Sequence, residues 1–219
     1  MAVKRLFDNV YLVGGKLATA NLKKGRRVYG EELVEEGKEE YRLWNPYRSK
    51  LAAAILNGMK NMSIKEGSAV LYLGAATGTT VSHVSDIIKG EGSIYAVELS
   101  ERNMRNLLEL CDIRENIMPI LSDARQIKNY EATVGMVDVM YQDVSAKEQA
   151  AILLANSRFM KKGGIAYFII KSQSIDISKR PKEVYEQELK ILEGTFEVLE
   201  RISLEPYDSM HLFAVLRKL

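Results

Sequence analysis

The segment from Val70 to Val84 constrains this chain more than any other. Val70-Leu71-Tyr72-Leu73 is a short apolar run, Gly74-Ala75-Ala76-Thr77-Gly78 is a turn of small residues, and Thr79-Thr80-Val81-Ser82-His83-Val84 opens a helical pattern. A buried strand that turns on glycine into a helix N-terminus leaves backbone N–H groups bare, so a ligand can lie against the main chain. Two common uses of such a turn do not fit. There is no Gly-x-Gly-x-x-Gly run for a dinucleotide, and no Gly-Lys-Ser/Thr follows for a triphosphate. An ordinary strand-to-helix turn of an α/β protein stays open on this segment alone.

The next segments narrow the choice. Gly92-Ser93-Ile94-Tyr95-Ala96-Val97-Glu98 reads as a second buried strand ending in an acid, with Glu98 24 positions after Gly74. A carboxylate about 20 residues beyond such a turn, at a strand tip, can accept both hydroxyls of an adenosyl ribose. A third strand, Ile117-Met118-Pro119-Ile120-Leu121, ends in Ser122-Asp123-Ala124. There a small residue admits an adenine ring and Asp123 can accept from its exocyclic amine, or Asp123 caps a helix instead. The pattern is closest to the cofactor half of an S-adenosylmethionine-dependent methyltransferase.

Around this unit the chain divides in two. Residues 1–45 alternate apolar and polar positions with glycine punctuation, as in Val10 to Thr19 and Arg26 to Val34, which predicts a small antiparallel β-rich N-terminal module. Glu35 to Glu40 is its expected exposed turn. Residues 46–219 are expected to form the methyltransferase domain. A helix is predicted from Arg48 to Met59, then alternating strands and helices that include strands at Met136–Asp143 and Gly164–Lys171 and a helix at Glu148–Met160. That order implies a Rossmann-like parallel sheet covered on both faces. The last two strands, Phe196–Leu204 and His211–Arg217, have too short a link for a parallel crossover and must pair as an antiparallel hairpin.

In such sheets the functional crevice lies beyond the carboxyl ends of the parallel strands. Asp143 and Lys171 stand at two such ends, and His211 begins the reversed strand, so all three meet the same rim. Each also has an ordinary alternative: a helix cap for Asp143, a solvated strand-end lysine for Lys171, a surface histidine for His211. Pattern alone leaves Lys50 a solvated helix lysine.

Bulk properties set outer limits. With 219 residues, 47% hydrophobic and 27% charged, the chain has room for one α/β domain and a small appendage. Lysine and arginine, 31 against 29 acids, leave a formal charge of +2, which does not by itself indicate nucleic acid. Basic residues do cluster, as at Lys23-Lys24-Gly25-Arg26-Arg27. The single cysteine, Cys111, fits a reducing compartment, and with only His83 and His211 no zinc site is legible. No apolar run approaches a membrane span, and the expected location is cytoplasmic.

Four motifs together closely resemble the fibrillarin family along nearly the whole chain. They are Trp44-Asn45-Pro46-Tyr47-Arg48-Ser49-Lys50-Leu51-Ala52-Ala53, Leu73 to Val84, Lys171-Ser172-Gln173-Ser174-Ile175-Asp176 and Leu204-Glu205-Pro206-Tyr207. The resemblance is to the archaeal form, since no Gly/Arg-rich extension is present. It implies a methyltransferase acting on ribose 2′-hydroxyls of ribosomal RNA and transfer RNA. The implied partners are a box C/D guide RNA, a Nop-family scaffold protein and a kink-turn-binding, ribosomal-protein-like subunit. Carried over by motif, the family's catalytic set falls on Lys50, Asp143, Lys171 and His211. Cofactor contacts fall on the Gly74 turn with Thr79 and Thr80, on Glu98 and Leu99, on Asp123 and Ala124, and on Asp143 with Val144, Ser145 and Ala146. One departure is visible: Met210 occupies the place before the histidine where the family usually has Asp, so an orienting or charge-stabilising role for that neighbour does not carry over to this chain. Two other classes stay open from sequence, a small-molecule O-methyltransferase and a catalytically silent subunit of an RNA complex.

Overall fold

The computed structural model describes residues 2–219. The chain begins with five short strands, β1 (Val3–Phe7), β2 (Val10–Val13), β3 (Lys16–Ala20), β4 (Leu33–Glu36) and β5 (Glu39–Leu43), in an antiparallel sheet of order β1-β2-β3-β5-β4. Gly14 and Gly15 link β2 to β3 with φ of 56° and 82°. Positive φ at both central residues suits the twist of a two-residue hairpin. The alternating stretch Arg26–Val34 is not one strand: only Leu33 onward pairs, and the residues before it form a loop. The cause is Glu31, whose buried carboxylate accepts the amides of Val28 (2.9 Å) and Tyr29 (2.8 Å) and so curls the backbone around itself.

The helix expected over 48–59 is split and shorter. Asn45 caps a 3-10 turn at Pro46–Arg48, Ser49 is extended at φ −150°, and α1 starts afresh at Lys50–Leu56. The Ser49 hydroxyl accepts from the Ala52 amide, a local bond that makes it the N-cap. Lys50 therefore stands at the first helical position and not in mid-helix.

The second sheet holds β6 (Ala69–Leu73), β7 (Ser93–Glu98), β8 (Ile117–Leu121), β9 (Val137–Gln142), β10 (Met160–Lys171), β11 (Phe196–Ser203) and β12 (His211–Lys218). Their order is β11-β12-β10-β9-β6-β7-β8. The five strands from β10 to β8 run parallel, and β12 runs against β10 with Lys171 opposite His211. The C-terminal hairpin thus forms as its short link requires, and it delivers His211 to the rim where the parallel strands end.

Alternation along the strands sorts the core into two layers. Val70, Tyr72, Val139, Tyr141, Tyr167 and Ile169 pack under α1, α2 (Thr79–Ile88) and α3 (Glu101–Cys111). Leu71, Leu73, Met140, Ala166, Phe168 and Ile170 pack under α4 (Gln149–Asn156) and, beyond the short helix α5 (Ser172–Ile175), α6 (Pro181–Ile191). Helix α4 stops four residues short of the expected Met160, which instead begins β10. Lys218 donates to the carbonyls of Ser157 and Met160, both at 2.8 Å, and stabilises the break. No helix among the described residues is long and apolar enough to cross a membrane.

Candidate active site

Beyond the ends of β6, β7, β8 and β9 lies a cleft of about 420 Å³. Its floor is the turn after β6. Gly74 sits at φ 86°, and a Cβ there would lie 2.8 Å from the Asp143 carbonyl oxygen, so only glycine lets β6 and β9 end side by side. The Gly74 and Ala75 amides both donate to the Val97 carbonyl, at 2.9 and 3.1 Å. Glu98 closes the other side. Its Oε2 accepts the Ala76 amide at 2.7 Å and its Oε1 the Ser100 amide at 2.8 Å. The carboxylate that was expected at the tip of the second strand is therefore clamped by the glycine turn and by the cap of α3.

The cleft is lined by Gly74, Glu98, Leu99, Asp123, Ala124, Asp143, Val144, Ser145 and Ala146, the residues named from sequence. Thr79 and Thr80 are placed elsewhere. Thr79 lines a separate groove with Arg26, Arg27 and Arg48, and the Thr80 hydroxyl donates to Ser49 Oγ at 3.0 Å. Asp123 lines the cleft and does not cap the next helical turn, whose cap is Gln126; its Oδ1 instead accepts the Arg125 amide (2.9 Å) in a local turn. The Arg125 guanidinium, which donates to both carboxylate oxygens, holds the Asp123 carboxyl below its ordinary range. Ala76, Ser100, Asn103 and Arg125 also line the cleft and escaped the sequence reading. The signals were present in part: Ala76 lies between the two glycines of the turn, and Ser100 is the cap of the next helix.

The chemistry of this lining fits S-adenosylmethionine. An acid at the tip of β7 with lone pairs to spare suits ribose hydroxyls, and an apolar wall at Leu99 and Val144 suits a ring.

At the inner end of the cleft stand charged groups of alternating sign. Lys171 Nζ lies 2.8 Å from Asp143 Oδ1 and also donates to the Asp143 carbonyl (2.9 Å) and to Ser145 Oγ (3.1 Å). Lys50 Nζ lies 3.2 Å from Asp143 Oδ2. Below Asp143 the rings of Tyr72 and Tyr141 stack at 4.4 Å. Burial, reinforced by neighbouring charge that includes Asp143, raises both phenols well above their ordinary range. The Lys171 amide is fixed by Gln149 Oε1 at 2.9 Å. His211 joins the group through a carboxylate after all: Asp208 Oδ1 is 2.6 Å from its Nδ1. Position 210 itself brings no carboxylate; the one at the ring comes from two places earlier. Lys50, Asp143, Lys171 and His211, four residues with no local reason to meet, share one rim.

The fibrillarin family model matches residues 1–218. The fibrillarin-like rRNA/tRNA 2′-O-methyltransferase of Thermococcus gammatolerans is 51% identical over 221 residues, covering 98% of each chain. Aeropyrum pernix fibrillarin, solved with natively bound S-adenosyl-L-methionine, superposes with a TM-score of 0.91 at 46% identity, covering 99% of this chain and 98% of that one. The fibrillarin of a fibrillarin/Nop5p complex superposes with a TM-score of 0.90 at 44% identity, covering 99% of this chain and all (100%) of the other. With a family match over nearly its whole length and the family's motifs assembled at one cleft, the chain belongs to the fibrillarin family.

Proposed function

We propose that this chain is an S-adenosylmethionine-dependent RNA ribose 2′-O-methyltransferase, working in a box C/D guide ribonucleoprotein on ribosomal RNA precursors and transfer RNA. The observation that carries the reading is the placement of Lys50 and Lys171 on the two oxygens of Asp143 at the inner end of the cleft. When bound, the cofactor supplies an electrophilic methyl group on sulfur. A ribose hydroxyl is a poor nucleophile, so alignment and charge stabilisation are what the protein must add.

Glu98 would hold the ribose hydroxyls of the cofactor, with Leu99, Asp123 and Ala124 around its ring. Val144, Ser145 and Ala146 form the wall toward the reacting end. Lys171 Nζ is ion-paired with Asp143 Oδ1 and is held in place by donating to the Asp143 carbonyl and to Ser145 Oγ. We therefore assign it stabilisation of the developing alkoxide, with Lys50 adding positive charge and Asp143 fixing both. His211 stands across from Lys171 to meet the target ribose.

Near-neutral net charge gives no broad basic surface for sequence-independent RNA binding. Site choice therefore falls to guide–target pairing, with a Nop-family scaffold and a kink-turn-binding subunit holding the chain in place. The solved complex of a relative with Nop5p supports the first of these partners. The test maps 2′-O-methyl positions with each component omitted in turn. The isolated chain is expected to bind cofactor but to leave free RNA unmodified, and the full assembly to modify one ribose per guide. Efficient guide-independent methylation by the lone chain would overturn the reading.

A further inference from the structure

The loop between β11 and β12 brings a second carboxylate to the rim. Asp208 presents one oxygen to each of two neighbours: Oδ1 lies 2.6 Å from His211 Nδ1, and Oδ2 lies 3.7 Å from Lys50 Nζ. With Asp143 already flanked by Lys50 and Lys171, the charged groups form one alternating row, Lys171, Asp143, Lys50, Asp208, His211. Among the described residues, Asp208 is the carboxylate in contact with the His211 ring.

This contact is built into the loop. The amides of Tyr207 and Asp208 both donate to the Leu204 carbonyl, at 2.9 and 3.0 Å, which sets the turn. Asn57, at the end of α1, donates to the carbonyls of Ser203 (2.7 Å) and Glu205 (2.8 Å), tying the loop to the helix that begins with Lys50. The Tyr47 and Tyr207 rings meet edge to face at 5.2 Å. On the other side the Met210 carbonyl accepts from Ser172 Oγ at 2.9 Å, next to Lys171. Met210 itself is in the left-handed region at φ 62°, where the chain swings so that His211 can enter β12 opposite Lys171. The Met210 side chain is 46% exposed, so its part in the site is played by its backbone.

We propose that Asp208 is a positioning residue of the methyl-transfer site, holding the His211 ring with its proton on Nδ1 while partly neutralising Lys50. A neutral imidazole that gives its Nδ1–H to a carboxylate is left with Nε2 as a lone-pair acceptor. Nε2 then receives a hydrogen bond from the target ribose hydroxyl, aligns its oxygen for attack and accepts the proton that the hydroxyl loses. The carboxylate has to be on this side of the ring because Asp143 is committed to the two lysines. The proposal rests on the methyltransferase reading above.

Asp208→Ala and the conservative Asp208→Glu test it in the assembled complex and in the lone chain. Single-turnover transfer at saturating cofactor is expected to fall about tenfold or more in Asp208→Ala, part of what an oriented acid–base group contributes. Cofactor affinity should stay as it is, and Asp208→Glu should recover much of the rate. Nitrogen-15 spectra of histidine-labelled chain, which has two histidines, should show His211 as the Nδ1–H tautomer in the parent and lose that preference in Asp208→Ala. Met210→Asp should change neither rate nor tautomer, since Nδ1 is already served. An unchanged rate or an unchanged tautomer in Asp208→Ala overturns the proposal, as does a faster Met210→Asp. If the parent assembly transfers no methyl group to RNA, the function reading fails by itself, and the tautomer measurement on the lone chain decides the role of Asp208.

Discussion

Glu98 does two things with one carboxylate, and its substitution should report both. Its oxygens accept the Ala76 and Ser100 amides, leaving lone pairs toward the cleft for the cofactor's ribose. Glu98→Ala is expected to weaken S-adenosylmethionine binding by about 1.5–3 kcal/mol, roughly ten- to a hundredfold, the scale of a hydrogen bond to a charged group. The melting temperature should fall as well, because two amides lose their acceptor. Calorimetric titration and a thermal melt read the two effects separately, and an unchanged affinity would take Glu98 out of the site. Glu98, Asp143 and Lys171 were legible in sequence because each ends a parallel strand, and that position alone directs a side chain to the rim. Asp208 was not, because its contact depends on how a seven-residue connection folds between β11 and β12. Thr79 and Thr80 stand outside the cleft lining for a different reason. Consecutive helical residues point about 100° apart, and here one faces the outer groove and the other faces Ser49.

At the level of whole elements, the same helix α2 carries a buried polar cluster that ties it to the N-terminal sheet. Arg42 of β5 lies against Glu31 (2.6 Å) and Asp86 (2.8 Å), and Arg114 against Asp86 (2.6 Å), all essentially without solvent. His83 sits among them, stacked on Trp44 at 4.6 Å. Thr19 gives its single proton to Asp86, so the ring donates from Nδ1 to the Thr19 oxygen and accepts the Tyr29 hydroxyl at Nε2. Burial first, then the charges of Arg42 and Arg114, hold the ring well below its ordinary protonation range, so the folded chain keeps it neutral. The unfolded chain protonates it near pH ~6.5. Its share of stability is therefore complete above that pH and is lost as pH falls from there toward the low folded value, by at most about 1.4 kcal/mol per pH unit. Urea unfolding at about pH 7.5 and about pH 5.5 should show this loss, and His83→Phe, whatever its stability at neutral pH, should show a flatter slope. Equal slopes would mean that His83 does not govern the acid limb. The cluster also explains which elements were readable. Strands with period-two apolar runs appeared close to where they were expected. The loop over 21–32 did not, because its shape is set by Glu31 within it, which buried Arg42 holds in place, and by His83, which is distant in sequence. Likewise α1 and α4 were overextended because apolar periodicity continues past the polar groups that stop them, Ser49 at one start and Lys218 near one end.

For the molecule as a whole, the cluster makes the N-terminal sheet part of the methyltransferase core and not an ornament on it. Val10, Leu17 and Trp44 belong to the same apolar cluster as Val84, Ile87 and Ile88 of α2, and Asn9 donates to the Ile87 carbonyl at 2.8 Å. Removing residues 1–43 would take away Arg42, Glu31, Thr19 and Tyr29. Asp86 would keep only Arg114, the His83 ring would lose both partners, and the apolar flank of α2 would face water. Fully burying a single large apolar side chain is worth about 1.5–3 kcal/mol, so exposing this flank removes a large part of a typical domain's total stability of about 5–15 kcal/mol. Because α2 begins at the Gly78 end of the cofactor turn, its loosening should reach the cleft directly. The chain lacking residues 1–43 is therefore expected to be recovered aggregated or without a cooperative melt, and to bind no S-adenosylmethionine, whereas the full chain should unfold in one transition by circular dichroism and by intrinsic fluorescence alike. A truncated chain that stays monomeric, melts cooperatively and binds cofactor as the full chain does would show that the parallel sheet stands alone. The antiparallel sheet would then be free to serve chiefly as a surface for other components of the particle.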